Sequence, residues 1–227
     1  TGMAAVKACE AMREKIMEKG AEYLERSVDE VDFDGSQVFS RDGSSAIRLK
    51  DIGNRVMCNN GKALEVTTSH SSPVSPPPFM VGMAEIEMDM ETYEYELIDF
   101  VAVVDCGTPI NPNLVRVQTE GGLGQGIGMA MFEDVTRSQK GRVFENSFMQ
   151  YKLPTRMDVG HLQVEFESSY EPTGPFGVKS IGEVVINTPS PAIAGAVANA
   201  SGVWIRELPI TAEKIFTEMK EKKKAVN

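Results

Sequence analysis

The chain has 227 residues, a formal net charge of −10 and 41% hydrophobic residues. This length suits one large domain or two small ones, and the hydrophobic fraction is sufficient for a buried core. The acidic balance argues against nucleic acid and anionic membrane surfaces as partners, because both attract basic patches. No apolar run approaches the roughly 20 residues that span a bilayer, and no secretory signal is recognised from Thr1 onward. We therefore expect a cytoplasmic protein without a membrane partner, whose N-terminus is a processing or truncation boundary.

The scarcity of cysteine and histidine limits the chemistry open to this chain. Cys9, Cys58 and Cys106 are widely separated and lack a C-x-x-C spacing, which favours reduced thiols over disulfides or a zinc site. The two histidines, His70 and His161, are too few for a His-rich metal site, and neither lies in a nucleophile-elbow context. We expect both to be surface or strand-edge residues, which makes a hydrolase a weak hypothesis.

Local patterns over the first 78 residues predict short elements with no repeat and no clear linker. Apolar residues recur every three or four positions over residues 2–26, which predicts an amphipathic helix. Four elements follow in chain order: a capped turn at Ser27–Glu30, a hairpin around Asp34–Gly35, a helix over 48–57 and a strand over 62–70. The stretch "SSPVSPPP", residues 71–78, is incompatible with regular structure and predicts an extended surface crossing.

Two alternating segments follow, and a glycine-rich helix comes after them. Alternation over residues 79–90 and 93–104 predicts two strands joined at Glu91-Thr92, with one face of the pair buried. Beyond a turn rich in glycine, proline and asparagine, a helix is predicted from about Leu114 to Phe132.

This predicted helix carries an unusual number of glycines. Five positions are glycine: 121, 122, 124, 126 and 128. Each costs about 1 kcal/mol relative to alanine, and close approach of another backbone or of a ligand is the usual compensation, with packing favoured by spacing alone. The glycines do not match G-x-G-x-x-G, and no phosphate-binding G-K-[ST] occurs. Gln118 and Gln125 share one face of the helix, where their carboxamides either bind the edge of a heterocycle or face solvent.

The last third of the chain holds one carboxylate in a segment rich in glycine and proline. Glu183 lies in "EPTGPFGVKSIGEVVINTPSPAI", residues 171–193. The elements predicted around it are, in chain order, a strand over 162–169, a helix with Ser190 as N-cap and Gly202 after its last turn, a strand over 203–208 and a helix from Thr211 that ends in a lysine run. Spacing alone leaves Glu183 open as a solvated loop residue or as a functional carboxylate. The predicted fold class is α+β, with mixed sheets and packed helices.

Four segments carry a family resemblance: "DCGTPINPNLVRVQTEGGLGQGIGMAMFED", "YKLPTRMDVG", "GPFGVKSIGE" and "PAIAGAVANASGVWIRELPIT". In order and spacing they resemble the C-terminal part of the molybdenum-binding subunit of the xanthine dehydrogenase and aldehyde oxidase family. The opening "TGMAAVKACEAM" is also similar to the helix that begins this region, so the resemblance extends over essentially the whole chain. It implies that residues 1–227 form the C-terminal lobe of a molybdopterin-binding domain.

The resemblance also implies roles for particular residues. Glu183 falls on the general-base glutamate of the family's G-x-K-x-x-G-E segment, in which Lys179 and Gly182 also match. Gln118 falls on the family glutamine that contacts the pterin of the molybdopterin cofactor, and Gly182 and Glu183 fall at the same cofactor site. The molybdenum is expected to be held by the pterin, with no direct protein ligand from this chain. The implied reaction is oxidation of an N-heterocycle (purine-like, such as xanthine) or an aldehyde, with oxygen from water.

The family's active site is built from two halves, and the sequence matches only the later one. The upstream substrate-orienting arginine and pterin loops have no counterpart here, and three scattered cysteines cannot hold an iron–sulfur cluster. We expect as partners the upstream half of the molybdenum subunit, a 2Fe-2S domain or subunit and, as a further candidate, an FAD subunit. The chain, a fragment or a split subunit, is expected to be inactive alone and to expose apolar and glycine-rich surface where its other half binds.

Two other functional classes stay open from the sequence. One is a catalytically silent structural lobe of such an enzyme, although the joint presence of Glu183, Lys179 and Gln118 counts against it. The other is an unrelated binding module that recognises a partner through its long hairpin, which only the acidic composition favours. The exact substrate, the electron acceptor and the oligomeric state are not encoded in these segments.

Overall fold

A computed structural model describes residues 1–226 of the chain. The chain divides into two compact units, the first from Thr1 to Val74 and the second from Ser75 onward. The division lies within the stretch 71–78, which has no regular secondary structure, as its prolines predict. That the whole chain is one lobe of a larger domain stays a prediction.

The first unit pairs two helices with a small antiparallel sheet. Its elements are α1 (Gly2–Leu24), β1 (Val31–Phe33), β2 (Gln37–Ser40), β3 (Ala46–Arg48) and α2 (Leu49–Asn60), with strand order β1-β2-β3. The core includes Ile16, Val38 and Ile52, and α1 packs closely on β2 because Gly20 has no side chain. A Cβ atom at Gly20 would lie 2.6 Å from Val38.

Most predictions for this first unit are confirmed, and one is wrong. The helix over 2–26, the capping box and the hairpin all form, with the Ser27 N–H donating to Glu30 Oε2 at 3.0 Å. The segment 62–70 is extended but pairs with no strand. It is held along α1 instead, since Lys15 Nζ donates to the Glu65 carbonyl at 2.6 Å and Thr68 Oγ1 to the Ala4 carbonyl at 2.8 Å.

The second unit packs helices against a three-stranded mixed sheet. Its elements are β4 (Phe79–Met88), β5 (Tyr95–Asp105), α3 (Pro112–Met131), β6 (His161–Phe166), α4 (Val184–Asn187), α5 (Pro189–Ser201) and α6 (Ala212–Val226). Strand β5 lies in the centre, antiparallel to β4 and parallel to β6. The α+β prediction, with mixed sheets and packed helices, is confirmed, and no helix within residues 1–226 is long and apolar enough to cross a membrane.

One face of this sheet is buried and the other is open, as the alternation predicts. Phe100 and Ala102 of β5 are fully buried in a core shared with Leu123 of α3 and Ile193 of α5. On the opposite face, large apolar side chains of β4 and β5 are exposed: Phe79, Val81, Met83 and Val103. Neighbouring exposed apolar side chains of this kind are a common feature of interaction surfaces.

Two predictions near the C-terminus need correction. The segment 203–208 alternates, with Val203 and Ile205 buried and Trp204 exposed, but no neighbouring strand pairs with it. Helix α5 begins at Pro189 with Thr188 as N-cap rather than Ser190, because the short helix α4 directly precedes it. The predicted end is confirmed, since Gly202 caps the helix in the left-handed conformation at φ 75°.

Candidate functional site

Helix α3 is fixed at its start by local capping. The Asn111 side chain accepts a hydrogen bond from the Leu114 N–H at 3.2 Å, and Pro112 occupies the first turn. The helix continues to Met131, which confirms the predicted span.

The glycines of α3 fall into two groups according to what surrounds them. A Cβ at Gly122 would lie 2.2 Å from Val185 Cγ2, and one at Gly126 would lie 2.6 Å from Pro189 Cγ. A Cβ at Gly128 would meet the Glu133 carboxylate first and Pro154 Cδ at 3.0 Å. At Gly121 and Gly124, by contrast, no atom lies within 4 Å of the added carbon. Packing against α4, α5 and a loop therefore explains the first three glycines, and the last two leave the helix open on its other side.

The open side of α3 carries the predicted pterin-contacting glutamine. Gln118 is exposed, and the apolar neighbours Leu114 and Val117 are 65% and 66% exposed. Gln125 is also exposed, two turns further on, where Gly121 and Gly124 border a groove of about 370 Å³. The expectation of exposed apolar and glycine-rich surface is therefore met on this helix face.

The loop that carries Glu183 is attached to the end of strand β5. The Lys179 N–H donates to the Cys106 carbonyl at 2.7 Å, and the Thr108 N–H donates to the Gly177 carbonyl at 2.8 Å. This close pairing requires glycine at position 107, where φ is 71° and a Cβ would lie 2.2 Å from the Gly177 oxygen.

A buried ion pair joins the same two segments through their side chains. Lys179 Nζ lies 2.6 Å from Asp105 Oδ2, with 8% of the Lys179 side chain and 21% of the Asp105 side chain exposed. Asp105 Oδ1 also accepts hydrogen bonds from Ser169 Oγ at 2.6 Å and from the Gly107 N–H at 3.0 Å. Burial acts to raise the pKa of this carboxyl, but the three hydrogen bonds outweigh it and lower the pKa to about 2.

Glu183 lies just beyond this anchored loop and opens helix α4. Its side chain is exposed, and no group within residues 1–226 donates a hydrogen bond to its carboxylate. Gly182 before it is exposed with no atom within 4 Å of an added Cβ. Two residues later, Val185 is fully buried against Gly122 of α3. The carboxylate is therefore free to contact a ligand while the backbone on both sides is held.

The structure brings the predicted site residues onto neighbouring elements. Gln118 lies one helical turn before Gly122, and Glu183 lies two residues before the Val185 that packs on Gly122. Lys179 does not face the open side, because its ammonium group is buried with Asp105. Asp105 was not among the residues predicted for the site. Its one local signal in the sequence is that it ends a buried strand and is followed by a glycine turn.

The two histidines form no nucleophile–base pair in the structure. His161 Nδ1 lies 2.8 Å from Asp99 Oδ1 on the exposed sheet face, with Gln163 as the other polar neighbour. His161 is at a strand edge as expected, whereas His70 is partly buried in the extended segment 62–70.

Comparison with known proteins identifies the family. Residues 1–160 match the family described as "Molybdopterin cofactor-binding domain", and the chain belongs to this family. The matched range includes Gln118 of α3 and ends before Glu183.

Individual relatives extend the match to the rest of the chain. The chain is 33% identical over 226 residues to the "Probable hypoxanthine oxidase XdhD" of Escherichia coli strain K12, which covers 97% of this chain and 23% of that protein. It is also 33% identical over 159 residues to the "Xanthine dehydrogenase molybdenum-binding subunit" of Escherichia coli O157:H7, covering 70% of this chain and 21% of that subunit.

A solved structure agrees with the fold. The quinoline 2-oxidoreductase of Pseudomonas putida 86 superposes with a TM-score of 0.74 at 26% identity, over 95% of this chain and 29% of that one. The chain thus spans between a fifth and a third of the length of these relatives.

The residues present fit a molybdopterin-type cofactor. An exposed carboxamide at Gln118 offers two donors and one acceptor in a plane, which suits the edge of a pterin ring. The open glycines Gly121 and Gly124 allow close approach to the helix, since no side chain stands in the way. Within the described residues, no cluster of three or more acidic, histidine or cysteine side chains could hold a metal ion.

Proposed function

We propose that the chain is the C-terminal lobe of the molybdopterin-binding domain of a molybdenum hydroxylase, with Glu183 as its general base. The observation that carries this proposal is the exposed Glu183 carboxylate, without a partner in residues 1–226, on a loop whose backbone is fixed to β5 and α3. A carboxylate that served only to stabilise the fold would be expected to accept hydrogen bonds, as Asp105 does.

The proposed reaction is oxidation of an N-heterocycle, purine-like as in xanthine, or of an aldehyde, with oxygen from water. When bound, the cofactor supplies the metal that accepts the two electrons removed from the substrate. Glu183 accepts a proton from water as the oxygen nucleophile forms, and general-base action of this kind contributes about 10²- to 10⁴-fold in rate. Gln118 binds the pterin and Gly182 leaves room for the cofactor beside Glu183.

We further propose that the exposed apolar surfaces bind the upstream half of the molybdenum subunit. Two surfaces support this: the open sheet face around Val81 and Met83, which are 65% and 61% exposed, and the α3 face around Leu114 and Val117. A chain that spans about a quarter of its relatives' length leaves most of the family's subunit unaccounted for. A 2Fe-2S partner, with FAD as a further candidate, completes the proposed assembly, and the lobe alone is inactive.

The test uses the assembled enzyme that contains this chain. Glu183→Gln is expected to keep the molybdenum and pterin content and to lower turnover by at least about 10²-fold. Glu207→Gln is the matched control, since Glu207 is an exposed glutamate with a single long ion pair at 3.9 Å, and it should leave turnover unchanged. Full turnover in Glu183→Gln would reject the base role and favour a structural lobe that only packs against the cofactor-binding half.

A further inference from the structure

The position of Glu183 depends on backbone contacts, since no group in residues 1–226 holds its side chain. Downstream, Val185 is fully buried against α3 and fixes the start of α4. Upstream, Gly182 has no side chain to pack, and Ser180 is exposed. The next residue with strong contacts on that side is Lys179, four positions before Glu183.

Lys179 makes contacts of three kinds with the end of strand β5 and its neighbour. Its ammonium group pairs with Asp105 at 2.6 Å, its N–H donates to the Cys106 carbonyl at 2.7 Å, and its ammonium lies 5.4 Å from the centre of the Phe79 ring. A buried ion pair with further hydrogen bonds holds its partners in one geometry, because breaking it leaves an unpaired buried charge.

The charge of Lys179 is already balanced within this cluster. Asp105 faces it directly, and the remaining donors to Asp105, from Ser169 and Gly107, complete the hydrogen bonding of the carboxylate. The Lys179 side chain is 8% exposed and makes no hydrogen bond or ion pair with Glu183. An effect of Lys179 on Glu183 therefore passes through the backbone of residues 180–182 rather than through direct attraction between the two charges.

We propose that Lys179, clamped by Asp105, is a positioning residue that sets where the Glu183 carboxylate stands. This inference rests on the proposed base role of Glu183. A displacement of about 1 Å in a reacting group is enough to lower the rate about 10²-fold. Loss of the Lys179–Asp105 ion pair, four residues from Glu183, is therefore expected to have a measurable effect on the rate.

The first readout is independent of activity. Amide hydrogen exchange is measured on peptides covering residues 171–183 in the assembled protein, for wild type and Lys179→Met. Loss of a charged hydrogen bond is expected to speed exchange in this loop by about tenfold or more, with no change in peptides from β4 and β5 distant from Asp105. Lys19→Met is the matched control, because it removes an ion pair of 2.5 Å on the exposed surface of α1.

The second readout separates positioning from general loss of structure. Lys179→Met is expected to lower kcat by about tenfold or more at unchanged molybdenum content, while Lys179→Arg restores most of both the protection and kcat. In the Glu183→Gln background the same Lys179→Met change should cost nothing further in kcat, because the group it positions is already removed.

Three results would overturn the proposal. They are unchanged exchange in residues 171–183, a full additional loss of kcat when Lys179→Met is combined with Glu183→Gln, and failure of Lys179→Arg to restore either quantity. If Lys179→Met does not yield assembled protein, Ser169→Ala replaces it, since it removes one donor to Asp105 without unpairing a charge. Unchanged loop exchange in Ser169→Ala then counts against the clamp.

Failure of the proposed function gives a different pattern. Full activity in Glu183→Gln alone would reject the base role, and with it the positioning role. Faster loop exchange in Lys179→Met would then show only that the ion pair holds the loop. An inactive Glu183→Gln together with unchanged exchange in Lys179→Met rejects the clamp and keeps the base.

Discussion

The two sides of helix α3 use glycine for opposite purposes. On the packed side, Gly122 and Gly126 admit Val185 and Pro189 to within 2.6 Å of where a Cβ would stand. On the open side, Gly121 and Gly124 meet no atom within 4 Å, and their neighbour Gln118 is exposed. The same residue type thus lets α4 pack closely on one side of α3 and leaves the backbone uncovered on the other.

The largest effect is expected on the packed side. In Gly122→Ala the new methyl would lie 2.2 Å from Val185 Cγ2, which has no room to move because Val185 is fully buried. Overpacking of this kind should lower the free energy of unfolding by about 3 kcal/mol. Thermal unfolding of the assembled protein measures it, and an unchanged midpoint would mean that the helix does not pack on α4 as described.

Breaking the Asp105–Lys179 ion pair at the end of β5 is expected to give the next largest loss of stability, and this loss depends on pH. Asp105→Asn should destabilise the protein by about 2 kcal/mol at neutral pH, because Lys179 loses its countercharge. The pKa of Asp105 is lowered to about 2 in the folded state, against about 3.9 in an unfolded chain. Its contribution is therefore complete above about pH 4 and lost as the pH falls toward 2.

The predicted direction of this pH dependence is checked by measuring the unfolding free energies of wild type and Asp105→Asn between about pH 4 and pH 2. The difference between the two proteins should shrink as the pH falls from about 4 to about 2. A difference that stays constant, or that grows, would mean that the Asp105 carboxylate is not held by Lys179, Ser169 and the Gly107 N–H.

A substitution of glycine on the open side of α3 should raise the free energy of unfolding instead of lowering it. Gly121→Ala meets no atom within 4 Å, so it should stabilise the fold by about 0.5–1 kcal/mol through helix propensity alone. The added methyl stands on the proposed cofactor face, and pterin content should fall in the same variant. Higher stability with full pterin content would remove Gly121 from the proposed cofactor contact.

The smallest change in stability is expected at Gln118. Because its side chain is exposed and makes no hydrogen bond within residues 1–226, Gln118→Ala should change the unfolding free energy by less than about 0.5 kcal/mol. It should lower pterin retention or shift the potential of the cofactor, with a smaller effect on base chemistry than Glu183→Gln. Unchanged pterin content, potential and activity would show that its assignment is wrong.

Local sequence patterns predicted much of this fold. They failed where the structure of a segment depends on pairing with a segment distant in the sequence. Capping at Ser27, the hairpin at Asp34 and the end of α5 at Gly202 are set by neighbouring residues, and each prediction is confirmed. The segments 62–70 and 203–208 alternate like strands, but a strand needs a neighbour to accept its hydrogen bonds, and the sequence does not say whether one exists.

The sequence was sufficient to predict which residues belong to the candidate site, but not which of them contact each other. The motifs single out Gln118, Gly182 and Glu183 through resemblance, whereas the ion pair of Asp105 and Lys179 joins residues 74 positions apart. The division of the glycines into packed and open positions also depends on where α4 and α5 lie. No spacing within α3 separates Gly121 from Gly122 before those helices are in place.

The central claim is that Glu183 acts in the chemical step, and rapid-mixing kinetics test it most directly. The rate at which substrate reduces the cofactor is measured in a single turnover, for wild type and Glu183→Gln at equal molybdenum content. We predict a rate at least about 10²-fold lower in Glu183→Gln, with substrate affinity little changed. Equal rates in the two proteins would contradict the account and leave the anchored loop a purely structural feature.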